Sequence, residues 1–212
     1  MEKTKTHKKD EGIEFVKLCN EYCKILDNAK KYPLHELFDR ISESLMKVYQ
    51  KTFTIPRFQT RYESDAQKFL SEKQYDTVRG VLLDLLEKRD SYTEILDPNR
   101  PALQNIFKAS ISEDLTDIYQ DLYDFTTWYS QGTLEAVNDS LIECLTNFEK
   151  YWGVKLLNAL RAVHVIRYLQ KDATLFRDVT GDDEEFPAGI DEDEEEDLDS
   201  DEDISEFLKE EL

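Results

Sequence analysis

Five carboxylates recur at helical spacing in one stretch of the chain: Glu113, Asp114, Asp117, Asp121 and Asp124. On a helix of about 100° per residue they fall within roughly 100° of the wheel, along one flank of an apolar face, where like charges at i, i+3 and i+4 repel. A cation must therefore stand nearby. It is either a metal held by oxygen ligands or a basic side chain of the last helix, with Lys155, Arg161 and Arg167 as the candidates. His164 falls about one turn beyond Leu160 on the apolar side of that helix, so an inward imidazole could meet the carboxylate flank. Di-metal bundles place a Glu-x-x-His motif on each of two helices and a Glu on each of the other two. That motif is absent here. The favoured reading is a structural network of carboxylates with Arg or His. The alternative is a metal-dependent, hydrolase-like site on Asp114, Asp117, Asp121 and His164.

Other chemistry finds less support. Cys19 and Cys23 lie at i, i+4 and could share a metal, but two ligands are too few for zinc, and His7, His35 and Cys144 are not at useful local spacing. Both lie on an apolar stripe and read as buried free thiols. No strand-turn-helix context surrounds a serine, and no glycine-rich loop is present to cradle phosphate. The acidic run after Gly189 lacks the central glycine and flanking helix of a calcium loop. No cofactor is expected.

The elements that must position these residues are helices. Phe15, Val16, Cys19, Tyr22, Cys23 and Leu26 form one core-facing stripe. Pro33 suits the first turn of the next helix, whose stripe runs from Leu34 to Tyr49. Ile55 and Pro56 break the pattern. A third region in two pieces ends with Tyr75, Val78, Leu82, Leu85 and Leu86, where Val81 and Leu83 widen the apolar face and place it centrally. Asp97, Pro98 and Pro101 force a loop. Ser112 reads as the N-cap of the carboxylate-bearing helix, which Gly132 ends, and Thr133 as the cap of the next. That helix carries Leu134 to Trp152, Gly153 allows close packing or a kink, and a last helix fades near Gln170. No strand is expected. The fold class is all-α, an antiparallel bundle of about six helices.

The chain has 212 residues, with 47 acidic and 27 basic side chains for a net charge of −20, and only 3 cysteines. From Asp182 to Leu212 there are 18 acidic residues and one basic, or −17, which leaves −3 for the rest. The division is therefore a flexible basic start at 1–10, a helical bundle at 11–175 and an acidic tail at 176–212, too self-repulsive and too poor in apolar residues to order itself. Ile204, Phe207 and Leu208 near its end have the spacing of a short amphipathic helix that could anchor a partner. The slightly acidic bundle has no basic stripe for nucleic acid, and no apolar run approaches the roughly 18 residues of a membrane span. With no apolar signal segment after the lysine-rich start and an odd cysteine count, the expected compartment is the cytoplasm.

Four elements in order resemble one bacterial family of all-helical proteins, a domain of unknown function of the DUF5063 type: Tyr92 before Asp97-Pro98, the string from Glu113 to Leu122, Trp152-Gly153, and Ala159 to His164. The resemblance spans roughly Phe15 to Leu169 and omits the tail. It implies a helical fold and a shared cluster of Asp114, Asp117, Asp121, Trp152, Arg161 and His164, without an activity. The family often has a His just before Trp-Gly, where this chain has Tyr151. It also implies, as a second choice of partner, an RNA-processing nuclease. The leading expectation is a non-enzymatic module whose tail contacts a protein with a basic surface.

Overall fold

A computed structural model describes residues 2–56, 61–62, 67–95 and 106–169, and all of these lie in one compact unit spanning Met1–Arg177. The tail at 176–212, with Ile204, Phe207 and Leu208, lies outside the described residues.

Six helices carry the fold: α1 (Glu2–Asp27), α2 (Leu34–Thr52), α3 (Glu72–Leu86), α4 (Ile111–Tyr129), α5 (Leu134–Asn147) and α6 (Gly153–His164). The predicted stripes of α1 and α2 are the core: Phe15, Cys19, Tyr22, Leu26, Leu37, Phe38, Ile41, Leu45 and Val48 are all buried. The helix α1 begins at Glu2, so the lysine-rich start runs directly into it as helix. Short connections make neighbours of consecutive helices, α1 with α2 and α4 with α5. None of the described helices is long and apolar enough to cross a membrane.

The central helix is α4, not α3. It packs against α1, α3, α5 and α6, whereas α3 leaves Leu83 exposed on the surface. Burial on several sides is possible because the polar residues of α4 bond within the protein. The Thr116 hydroxyl donates to the Ser112 carbonyl at 2.6 Å, and Thr126 to that of Tyr123 at 3.2 Å. From α1, the Tyr22 hydroxyl donates to the Leu115 carbonyl at 2.8 Å in the buried core.

The start of α4 departs from the sequence expectation in two ways. Two short strands, β1 (Ser91–Ile95) and β2 (Ile106–Ser110), pair antiparallel with Ser91 opposite Ser110 and Ile95 opposite Ile106. Tyr92, Thr93, Ile106 and Phe107 have strand propensity, but each run is only 5 residues and adjoins the proline-bearing loop, so no alternation stands out. The N-cap is Ser110 rather than Ser112: its hydroxyl accepts from the Glu113 N–H at 3.2 Å. Buried Asp90 decides between the two serines, accepting the Ser112 N–H at 2.7 Å and the Ser110 hydroxyl at 2.6 Å. The ribbon therefore delivers α4 with its first amides satisfied. Thr133 caps α5 as expected, accepting from the Ala136 N–H at 3.1 Å, and Gly132 takes a φ of 75° between the two helices. The expected first piece of the third helical region falls partly outside the described residues, and Gln67 to Ser71 are not helical.

Between α5 and α6 the chain makes one π turn, Phe148–Trp152, whose extra residue shifts the face that α6 presents. The Gly153 N–H closes it onto the Phe148 carbonyl, and a Cβ on Gly153 would lie 2.4 Å from that oxygen. Trp152 is fully buried, with its indole N–H donated to the Cys144 carbonyl at 3.1 Å. The Trp-Gly pair is thus explained by a tight backbone turn. Gly153→Ala is expected to lower stability by about 2 kcal/mol or more through this overlap. Gly80→Ala in α3, where a Cβ meets nothing within 4 Å, is expected to raise it by about 0.5–1 kcal/mol through helix propensity. Urea denaturation of both variants measures the contrast.

Candidate functional site

The carboxylates of α4 meet their cation in Lys155, the third residue of α6. Its ammonium donates to Asp114 Oδ1 at 2.8 Å and lies 2.9 Å from Asp117 Oδ2. Phenols complete the shell. The Tyr92 hydroxyl from β1 donates to Asp114 Oδ2, while the Tyr75 and Tyr151 hydroxyls donate to Asp117 at 2.6 and 2.8 Å. The Lys155 ammonium also stands 5.2 Å from the centroid of the Tyr151 ring. Four elements, α3, β1, the π turn and α6, thus converge on one pair of carboxylates of α4.

The remaining stripe residues have separate partners. Asp121 accepts the Asn147 amide N–H at 2.9 Å. Asp124 accepts the Phe69 and Leu70 backbone N–H groups at 2.7 and 2.8 Å, pinning the segment that leads into α3. Glu113, on the surface, faces Arg79 at 3.4 Å.

Electrostatics follow from burial. Burial pushes the Tyr75 phenol up, and its bond to Asp117 adds to the rise. The same causes push Tyr151 up to about 12, so both phenols stay neutral donors. Burial alone would lower Lys155, but its bonds to Asp114 and Asp117 outweigh this and leave its pKa above the usual lysine range. A lysine held so firmly charged is neither a base nor a nucleophile. Burial, opposed by the Asn147 bond, pushes Asp121 up to about 6. Next to it a cavity of about 40 Å³, lined by Lys68, Asp124, Ser140 and Asn147 together with Phe125 and Trp128, has room for a few waters at most.

Of the cluster expected from sequence, the structure joins Asp114 and Asp117, with Asp121 one turn away. Trp152 lies beneath in the core. Arg161 and His164 are elsewhere: Arg161 is exposed and donates to the Thr93 carbonyl at 2.5 Å, and Arg167 pairs with Asp39 at 3.0 Å. His164 does not point inward. Its ring is exposed beside Tyr168, with centroids 4.8 Å apart. The buried face of α6 is Leu156, Ala159, Ala162 and Val163, continued by Ile166 just beyond it, because the two alanines permit close helix approach, so Leu157, Leu160 and His164 turn to the rim. The hydrolase-like alternative loses the imidazole it required. Among the described residues no group of three or more His, Cys, Asp and Glu side chains is arranged to hold a metal.

Sequence reasoning missed Tyr75, Tyr92, Tyr151, Asn147 and Asp90. The one usable signal was Tyr151, at the position where the resembled family often has a His, which proves to touch Asp117. Cys19 and Cys23 are buried free thiols, as expected, and so is Cys144; burial pushes each thiol well up and out of its reactive range.

A family model described as a domain of unknown function, DUF5063, matches residues 6–169. The chain belongs to that family. The match runs from within the first turns of α1 through α6 of this DUF5063 domain and stops before the acidic tail. A crystal structure of protein BF1032 from Bacteroides fragilis, a structural genomics target, is similar at 33% identity with a TM-score of 0.66. The similarity covers 76% of this chain and 94% of that one. No curated protein matches.

Two outcomes are expected of this DUF5063 site. Lys155→Met strands two carboxylates, Asp114 being buried, and should cost about 3 kcal/mol in urea denaturation. For Asp121 the folded carboxyl keeps its proton to a higher pH than an unfolded aspartate, at about 3.9. The folded state therefore binds more protons between about pH 4 and 6, and stability from this group is present below that window and falls as pH rises through it. Asp121→Asn should flatten that slope and raise stability at neutral pH by about 1 kcal/mol, as measured by denaturation at several pH values.

Proposed function

We propose that this protein is a cytoplasmic, non-enzymatic binding module whose acidic tail contacts a basic surface on a partner protein. The observation that carries this reading is the fate of the bundle's carboxylates. Asp114 and Asp117 are neutralised by Lys155 and three phenols, and Asp121 and Asp124 are held by Asn147 and by backbone amides. The groups best placed for acid–base work are thus engaged in holding helices together. The charge this protein offers outward is concentrated in residues 182–212, at −17 against −3 for the rest.

A dense anionic segment attracts a basic surface over a Debye length of about 10 Å and raises encounter rates, with strong salt dependence. Ile204, Phe207 and Leu208 supply the apolar contact that charge alone does not, as a short amphipathic anchor. Three unpaired, buried thiols fit a reducing compartment.

The test compares proteins captured by the full chain and by a chain ending at Gly181, at low and high salt. Loss of the captured partner on truncation, and its release from the full chain by salt, is the expected result. Capture of the same partner by the truncated chain with unchanged salt dependence contradicts the reading. A triple Ala variant of Ile204, Phe207 and Leu208 is expected to weaken capture while leaving the salt dependence in place.

A further inference from the structure

Six arginines have described side chains, and four of them face a carboxylate: Arg40 with Glu36, Arg61 with Glu143, Arg79 with Glu113 and Arg167 with Asp39. The other two, Arg89 and Arg161, line the same groove. In a domain with more acidic than basic residues, two guanidinium groups at one place without a carboxylate among the described residues are unusual. Among the described residues the partners of both are backbone carbonyls. Arg161 donates through Nη2 to Thr93, and Arg89 donates weakly through Nε to Leu86 at 3.4 Å. Most of each five-donor fork therefore remains available to an oxyanion.

The groove itself is a formed feature. It lies between β1 and the C-terminal half of α6, has a volume of about 280 Å³, and has no Asp or Glu among its described lining residues. Its floor is apolar, made by Ile111, Ala162, Val165 and Ile166. Val165 and Ile166 belong to a second π turn, Val165–Leu169, a backbone irregularity that recurs at functional sites. Asp90, which follows Arg89 in the chain, is buried and bonds the Ser112 N–H and the Ser110 hydroxyl.

We propose that this groove is a binding site for a small organic anion, a carboxylate or phosphate ester with an apolar body, whose oxyanion is held by Arg89 and Arg161 while its apolar part covers Ile111, Ala162 and Val165. The volume is near the lower end of small-molecule sites, which suits a ligand of one ring or a short chain. Charge-assisted bonds from Arg supply the orientation and the apolar floor supplies affinity. Nothing in this assignment depends on the acidic tail.

The experiment titrates the full chain with phenyl phosphate, inorganic phosphate and benzyl alcohol, following binding by calorimetry and by amide chemical shifts. Phenyl phosphate is expected to bind in the millimolar range or tighter, about tenfold or more above either half-probe, with shifts at Ser91 to Thr93 and at Ala162 to Ile166. Arg89→Gln and Arg161→Gln are each expected to weaken it about tenfold, and Arg40→Gln to leave it unchanged. Shift mapping on the unaltered chain keeps the test decisive even if a variant folds poorly. Failure of phenyl phosphate to bind, shifts confined to other surfaces, equal binding of phenyl and inorganic phosphate, or indifference to both substitutions would each overturn the proposal.

Discussion

Asp114 is buried in the first turn of α4, and a carboxylate there is tolerable because Lys155 reaches it from α6 and Tyr92 from β1. Removing one partner of such a pair leaves a charge in a medium that solvates it poorly, which costs far more than the intact pair contributes. The bond is therefore a constraint on everything around it. The helix α6 must run past α4 with its third residue level with Asp114, and the ribbon must bring Tyr92 to the opposite oxygen. The turn before α6 must place Tyr151 beside Asp117.

Several features that look unrelated serve that constraint. The π turn at Phe148–Trp152 inserts one residue, which turns Lys155 toward α4 while Ala159 and Ala162 form the buried face. Gly153 is required because the turn's own carbonyl occupies the space of a Cβ. The ribbon ends in Asp90 and Ser110, which satisfy the first amides of α4 and fix where that helix begins, hence where Asp114 sits. The four elements recognisable in sequence, around Tyr92, Asp114, Trp152 and Arg161, are thus parts of one mechanical arrangement. The helix that carries Lys155 also presents Arg161, and the turn before β1 presents Arg89, to one groove that Tyr92 lines as well.

The helices were legible because their burial is periodic: Phe15 to Leu26, Leu34 to Tyr49 and Leu115 to Phe125 repeat at helical spacing and form the core. The carboxylate stripe and its need for a cation were legible too, since like charges at i, i+3 and i+4 are unfavourable wherever the helix lies. Which cation answers was not. Lys155, Arg161 and Arg167 follow one another at about one and two-thirds helical turns, and a single inserted residue in the π turn helps choose among them. His164 was misplaced because leucines were weighted above alanines in finding the buried face of α6. The role of the phenols was hidden for another reason. Tyr75, on an apolar stripe, reads as core, and only tertiary packing shows that its hydroxyl, like those of Tyr92 and Tyr151, ends on a carboxylate. The strands escaped notice because two 5-residue runs beside a proline-bearing loop carry too little pattern.

The state of Lys155 is the most direct measure of whether this ion cluster organises the molecule. Its side chain can be followed by NMR in protein carrying isotopically labelled lysine, through the chemical shift of Cε as pH is raised. The account predicts that Lys155 keeps its proton after the surface lysines have lost theirs, and that Asp114→Asn brings it back toward them. Titration of Lys155 together with, or before, the surface lysines in the unaltered protein would contradict it.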